Sequence, residues 1–333
     1  MTYNVVVVQP WGHFGEHGER EILERAGCEV TVVSPKSEEE TIAACRDADG
    51  LYYTGPVSKR LLESLTRCKV IAQSSIGMDR FEAPELANEK GIVVCNVPDV
   101  FVDEVANHTM TLLLACVRWL VPVAQAVQDG AWGNDRARAR PQGMIHRLTG
   151  ETLGLVGFGH IAQAVAQRAK GFDLRVLAYD PYLPREVFEQ AGVRQVSLGA
   201  VLQDSDIVSL HVPLLPQTHH LISEPQLRLM KQDAILINTC RGPVVDEAAL
   251  IAALQRGGLL AAGLDVTEQE PIASDNPLLK MPNVVVTPHI ASLSAWADGE
   301  RRRRPAQEIV AVLTGHRPRA VWNTGVLDHV TLR

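Results

Sequence analysis

The sequence lacks the features that would mark a secreted, membrane or nucleic-acid-binding protein. Its six cysteines, Cys28, Cys45, Cys68, Cys95, Cys116 and Cys240, include no C-x-x-C pair and lie mostly in apolar runs. They read as buried reduced thiols of a cytoplasmic protein, and no metal site is expected. Positive charge is not in excess. The formal net charge is −7, which argues against nucleic acid as a partner. No apolar run is long enough for a membrane span: the longest, Met110 to Ala124, is interrupted by Arg118 and Pro122 and reads as a buried or interface helix. The opening MTYNVVVVQP carries no basic region and no cleavage site and runs straight into a strand, so no targeting segment is expected. Internal repeats and low-complexity tracts are absent as well.

What is present is an ordinary globular composition, 46% hydrophobic and 21% charged over 333 residues, enough for two domains with real cores. Between Asn4 and Val97, strand-like runs (NVVVVQ, EVTVVS, GLYYTG, KVIAQSS, GIVVCNV) alternate with helical segments. Such alternation predicts a parallel sheet covered on both faces, one small doubly wound α/β unit. Ser37 with Glu40 makes a capping box for one of its helices. A long helix is expected over Asp103 to Gln128, followed by a polar arm rich in glycine and arginine. A second doubly wound unit begins at Thr152 and continues through DIVSLHVP, AILINT, AAGLDV and NVVVTP to about Pro288. The last helix, Ala295 to Thr314, and the tail are too little for a third domain and are expected to fold back on the first. The expected layout is therefore a domain of residues 1–102 and 289–333 interrupted by a domain of residues 103–288, with 103–150 as its helix and arm.

The stretch Thr152 to Asp180 organises the chain. An apolar strand runs into Gly157, Gly159 and Ala162 in a G-x-G-x-x-A pattern, then into an amphipathic segment and a second apolar run that ends at an acid. Gly157 permits the tight strand-to-helix turn, Gly159 lets backbone approach a pyrophosphate, and Ala162 packs helix on strand. The helix N-terminus offers free amides to an anion. Asp180 is placed to accept from the ribose hydroxyls and to repel a 2′-phosphate, which predicts NAD rather than NADP.

Ligands of open parallel sheets bind outside the carboxyl ends of the strands. Those ends carry Ser74 to Asp79, His211 to Pro213, Thr239 to Arg241, Asp265 and His289. A histidine backed by a carboxylate, here His289 with Glu270, is favoured in its charged form and can deliver a proton near neutral pH. The fixed fork of Arg241 can hold a carboxylate. Taken singly, each has a plainer reading as a cap, a core histidine or a member of a surface ion pair.

The words SSIGMDRFE, GLVGFGHIA, HVPLLPQTHHLI, LINTCRGPVVDEAALIAAL, GLDVTEQEP and TPHIA are long, ordered and correctly spaced. Over nearly its whole length the chain resembles the NAD-dependent D-2-hydroxyacid dehydrogenases, the family that includes D-3-phosphoglycerate dehydrogenase. Two longer stretches, from Cys95 and from Glu151, look most like the branch of the C-terminal-binding-protein corepressors and their bacterial enzyme relatives. The resemblance implies a Rossmann domain inserted into a flavodoxin-like substrate domain, with interconversion of a small 2-oxo acid and its D-2-hydroxy acid in the cleft between them. It assigns Arg241 to the substrate carboxylate and carbonyl, Glu270 to the pairing role and His289 to proton transfer. The backbone at Ser75, Ile76 and Gly77 would meet the substrate carboxylate. On the NAD side it implies His160 and Ile161 at the pyrophosphate, Asp180 at the ribose, and Val212, Pro213 and Thr218 at the adenine. It places Thr109, Thr239, Cys240, Arg241 and His289 near the nicotinamide, with Asp265 on its carboxamide. A homodimer through helix 103–128 and arm 129–150 is implied too. The chain departs from the family's pattern at Asp79-Arg80, where relatives read DN, at Gln73, which aligns with a corepressor arginine, and at Asn107, which replaces a common acid. Glu270 stands where formate-oxidising relatives have glutamine, which argues against that activity.

Arginines cluster at Arg301 to Arg304 and at Arg136, Arg138, Arg140 and Arg147. A solvated helix face and paired interface explain most of them. One or two, with Arg80, would bind a second anionic group on the substrate, such as a phosphate or phosphonate. The other class of function compatible with the resemblance is an NAD(H)-sensing, corepressor-like dimer without significant turnover, against which the complete set of Arg241, Glu270 and His289 argues.

Overall fold

The computed structural model describes residues 2–8, 13–132, 145 and 147–333. The chain forms two compact units, one of residues Met1–Phe101 with Leu293–Arg333 and one of residues Val102–Ser292.

The first unit is built on five parallel strands: β1 (Tyr3–Val8), β2 (Cys28–Val33), β3 (Gly50–Tyr53), β4 (Val70–Gln73) and β5 (Val93–Cys95), in the order β2-β1-β3-β4-β5. The central strands β3 and β4 are buried along their whole length. This is why they read as continuous apolar runs rather than alternating ones. On one face lie Val5, Val7, Val70, Ala306, Ile309 and Leu313, so the Ala295–Leu313 helix and the tail complete the core of this unit. Asn323 ties the tail down by accepting from the Val94 amide at 2.7 Å and donating to the Ile92 carbonyl at 2.9 Å. The Ser37 cap forms only half of the expected box. Its hydroxyl accepts from the Glu40 amide at 3.2 Å, but the Glu40 carboxylate turns to the Lys36 amide at 2.8 Å.

The second unit has seven parallel strands: β6 (Thr152–Val156), β7 (Arg175–Tyr179), β8 (Arg194–Gln195), β9 (Ile207–Leu210), β10 (Ile235–Asn238), β11 (Ala261–Leu264) and β12 (Val284–Val286). Their order is β12-β11-β10-β9-β6-β7-β8. The first strand in sequence lies inside the sheet and the connections reverse direction between β6 and β9, which opens a crevice at the carboxyl ends of those two strands. The two-residue β8 at the edge carries no apolar pattern and was not anticipated.

The single helix expected over Asp103 to Gln128 is two helices, Val102–Arg118 and Leu120–Gln128, bent by 65°. Pro122 has no amide to donate to the Arg118 carbonyl, and its ring would collide with that carbonyl in a continuous helix. The chain breaks at Trp119, left-handed with φ 53, and restarts so that Pro122 falls in the first turn of the new helix. No single helix among the described residues is long and apolar enough to cross a membrane. Most of the expected arm, residues 133–144 and 146, including Arg136, Arg138 and Arg140, lies outside the described residues.

Candidate functional site

Because all seven strands of the second unit are parallel, their carboxyl ends share one edge, and the loops leaving β6, β9, β10, β11 and β12 gather there. After β6, Gly157 adopts φ 89, and a methyl group on it would lie 2.5 Å from the His211 carbonyl oxygen. The turn therefore passes hard against the loop after β9. Gly159 caps the His160–Lys170 helix without a side-chain bond, and a methyl group there would meet nothing within 4 Å. The amides of His160 and Ile161 thus open the helix beneath an unobstructed backbone, and Ala162 is fully buried against the strand. At the tip of β7, Asp180 accepts from the Phe158 amide at 3.0 Å and the Tyr182 amide at 3.0 Å, which fixes the carboxylate beside the glycine turn. A glycine-walled anion site next to an acid fits a nicotinamide dinucleotide.

After β9, the Thr218 hydroxyl donates to the Pro213 carbonyl at 2.6 Å and accepts from the Leu215 amide at 2.8 Å. These bonds close a loop that presents Val212 and Pro213. His211 beneath it bonds Ser209 at 2.9 Å, and burial pushes its pKa down to about 4, so it is neutral. Thr239 and Thr109 meet at 2.9 Å, and Thr109 donates to the Val105 carbonyl at 2.8 Å. Cys240 holds its thiol against the Asn238 side chain at 3.1 Å, and burial pushes its pKa up to about 11. A thiol so placed stays protonated near neutral pH. All six cysteines are free thiols, and five are buried.

The proposed chemical group converges here. The His289 Nδ1 lies 2.8 Å from the Glu270 Oε2. The hydrogen bond and charge of Glu270 raise the His289 pKa above its ordinary value, against partial desolvation and the charge of Arg241. Although burial works the other way on Glu270, its bonds to His289 and the Thr267 amide, with the charge of Arg241, hold its carboxyl below the usual range. The Arg241 backbone is held by Asn238, which donates to its carbonyl at 3.0 Å, and its own guanidinium donates to the Cys240 carbonyl at 2.7 Å. The next residue has to be glycine, since a methyl group on Gly242 would lie 1.8 Å from the Thr267 carbonyl oxygen. This contact presses the Arg241 loop against the loop that carries Glu270. Asp265, 1% exposed, accepts from Thr287 at 2.6 Å and from the Ile290 and Ala291 amides at 2.9 and 2.8 Å.

Ser75, Ile76 and Gly77 belong to the other unit, in the loop after β4. Ser75 donates to the Gly77 carbonyl at 3.1 Å and Asn96 to the Ile76 carbonyl at 2.9 Å. Gln73 donates to the Gly55 carbonyl at 3.2 Å. Asn107 accepts from Arg168 at 2.7 Å, binding two helices of the second unit. The arginine run is spent within its own unit: Arg301 and Arg302 pair with Asp298, Arg303 with Glu300, and Arg304 with Asp99. Sequence reasoning missed His108 and Thr287, which contact each other at 2.9 Å. A threonine two residues before a candidate catalytic histidine was the available signal for Thr287.

The family model for the D-isomer specific 2-hydroxyacid dehydrogenase NAD binding domain matches residues 110–291. A glyoxylate reductase of Korarchaeum cryptofilum is 41% identical over 298 residues, 88% of each chain. A D-3-phosphoglycerate dehydrogenase of Methanocaldococcus jannaschii is 39% identical over 305 residues, 91% of this chain and 56% of that one. Among solved structures, the NADPH-dependent glyoxylate/hydroxypyruvate reductase of Sinorhizobium meliloti, in complex with NADP and malonate, superposes with a TM-score of 0.85 at 29% identity, covering 99% of both chains.

Proposed function

The chain belongs to the D-isomer specific 2-hydroxyacid dehydrogenase family, and from that premise we propose that it reduces a small 2-oxo acid, glyoxylate or hydroxypyruvate in type, to the D-2-hydroxy acid, or runs the reverse. It is a nicotinamide-dependent oxidoreductase. The dinucleotide, when bound, supplies or accepts the hydride. Gly157, Gly159, His160, Ile161 and Asp180 hold its phosphates and ribose. Val212, Pro213 and Thr218 line the adenine end, and Thr109, Thr239, Cys240 and Asp265 the nicotinamide end. Asp180 supports NAD over NADP.

Arg241 takes the substrate carboxylate and draws charge toward the carbonyl oxygen. His289 donates its proton from Nε2 to that oxygen in reduction and takes it back in oxidation, and Glu270 keeps the imidazole charged and aimed. The observation that carries this reading is the 2.8 Å bond from His289 to Glu270, with the Arg241 charge acting on both. The backbone of Ser75, Ile76 and Gly77, in the unit of Met1–Phe101 with Leu293–Arg333, is assigned to the substrate carboxylate. The helical segment 103–128 and the arm 129–150 that follows it pair two protomers, a reading supported by the exposed Leu120 and Val121 in the first and Trp132 at the start of the second. A second anionic group on the substrate would meet Arg80, exposed beside the Ser75–Gly77 loop, since the last helix's arginines are already paired.

NADH and NADPH oxidation with pyruvate, glyoxylate, hydroxypyruvate and phosphorylated or phosphono 2-oxo acids tests this. Wild type turns over at least one acid and prefers NADH. His289→Ala loses about 10²- to 10⁴-fold in kcat while keeping NADH affinity. Loss of binding along with turnover would make His289 structural, and no turnover by wild type would leave a dinucleotide-sensing role.

A further inference from the structure

His289 holds a left-handed backbone conformation, φ 54, uncommon for a side chain larger than glycine, although histidine is among the types found there more often. Its surroundings centre on one buried carboxylate. The His289 amide donates to the Asp265 carbonyl at 2.8 Å, and the next two amides, Ile290 and Ala291, donate to the two carboxylate oxygens of Asp265. Asp265 thereby grips the turn on both sides of the imidazole. The grip works only if the carboxylate is held in one orientation, and the hydroxyl of Thr287 is the one side chain among the described residues that donates to it, at 2.6 Å from Oδ1, beside the two turn amides.

A hydroxyl has one proton. With it committed to the carboxylate, Thr287 Oγ1 is an acceptor toward the His108 Nε2 at 2.9 Å, so His108 presents a protonated Nε2. The same nitrogen lies 3.4 Å from Asp265 Oδ1. His108 sits on the Val102–Arg118 helix, 179 positions before Thr287. It connects that helix to the histidine turn through a polarised chain of N–H, O–H and carboxylate.

We propose that His108 and Thr287 are positioning residues for the proton donor, locking Asp265 in the orientation that holds His289 against Glu270. The inference rests on the reading of His289 given above. Without the hydroxyl, Oδ1 keeps the Ile290 amide but loses its shortest donor, the carboxylate is held less firmly, and the left-handed turn and the imidazole it aims loosen against Glu270.

The test uses Thr287→Val and His108→Phe, which keep volume and lose the donor, beside Thr287→Ser and His108→Gln, which keep a donor. Three quantities are read: kcat in 2-oxo acid reduction, NADH affinity by fluorescence titration, and the titration of the His289 imidazole by NMR in the free protein. Thr287→Val and His108→Phe lower kcat about tenfold to a hundredfold, while NADH affinity falls by less, since Asp265 is also assigned to the nicotinamide end. They also bring the His289 titration down toward the ordinary histidine range. Serine and glutamine restore most of both. If Thr287→Val does not fold, the His108 pair, at a partly exposed position, decides the question. Wild-type kcat and titration in the donor-less variants would overturn the proposal, as would serine and glutamine variants equally impaired. If wild type reduces no 2-oxo acid yet the imidazole titration still moves in Thr287→Val, the functional reading fails and the positioning role stands.

Discussion

The two motif glycines respond to the same substitution in opposite ways, and the difference can be worked out from their surroundings. Gly159 has ordinary extended backbone, φ −70 and ψ −170, and an added methyl group would meet nothing within 4 Å. Gly159→Ala therefore costs the fold nothing and gains about 0.4–1 kcal/mol by restricting the unfolded chain. The methyl group instead occupies the face on which a pyrophosphate would rest. It separates the ligand from at least one of the His160 and Ile161 amides. A hydrogen bond to a charged group contributes about 1.5–3 kcal/mol, so NADH binding weakens roughly 10- to 150-fold. Gly157→Ala combines a left-handed φ with a methyl group 2.5 Å from a backbone oxygen. Strain and overpacking together cost about 2–5 kcal/mol, which lowers the melting temperature by roughly 4–20 °C. NADH fluorescence titration and thermal melting of the two variants measure both effects. A Gly159→Ala protein that binds NADH like wild type, or melts well below it, would refute the reasoning.

Glu270→Gln removes the charge that raises the His289 pKa. Reduction needs the protonated imidazole and is lost as pH rises through that pKa, so the alkaline limb of kcat/KM moves to lower pH in the variant; a limb that stays in place would refute the pairing role. Glu308, 1% exposed, has its pKa raised by burial, and one of its oxygens is buried without a hydrogen-bond partner among the described residues. The folded state binds this proton more tightly than the unfolded chain, so the stability it contributes is present below the ordinary glutamate value near pH 4.5 and is lost as pH rises through the folded value. Glu308→Gln melts with less loss between pH 5 and pH 8 than wild type, and parallel curves would dispose of the argument.

The legible parts of the fold were those whose signals are local. The glycine turn, its helix and the acid at Asp180 occupy a single run of residues, and each has a steric or electrostatic reason to be where it is. The buried strands announced themselves as apolar runs, because a parallel sheet covered on both faces has no polar side to show. The two-residue β8 has no such pattern, and its membership in the sheet rests on backbone pairing to β7 alone. The bend at Trp119 was written in Pro122, but the apolar periodicity carries on across the break and masks it. In the capping box, the sequence could name Ser37 and Glu40 but not which amide the glutamate would choose.

The candidate site divides along the same line. Arg241, Glu270 and His289 stood out because each sits in a word with a recognisable spacing. His108 and Thr287 did not, because neither residue type is unusual where it stands and their contact spans 179 positions. A histidine inside an apolar helix and a threonine at a strand end are ordinary until the fold places them 2.9 Å apart. The reactive groups can be read from chain chemistry, whereas the groups that aim them depend on which strand end lies beside which helix. The left-handed φ of His289 joins the two levels, because the amides that follow it are turned onto Asp265. From Asp265 the contacts run to Thr287, whose local signal is its place two residues before His289, and to His108, which no local pattern marks.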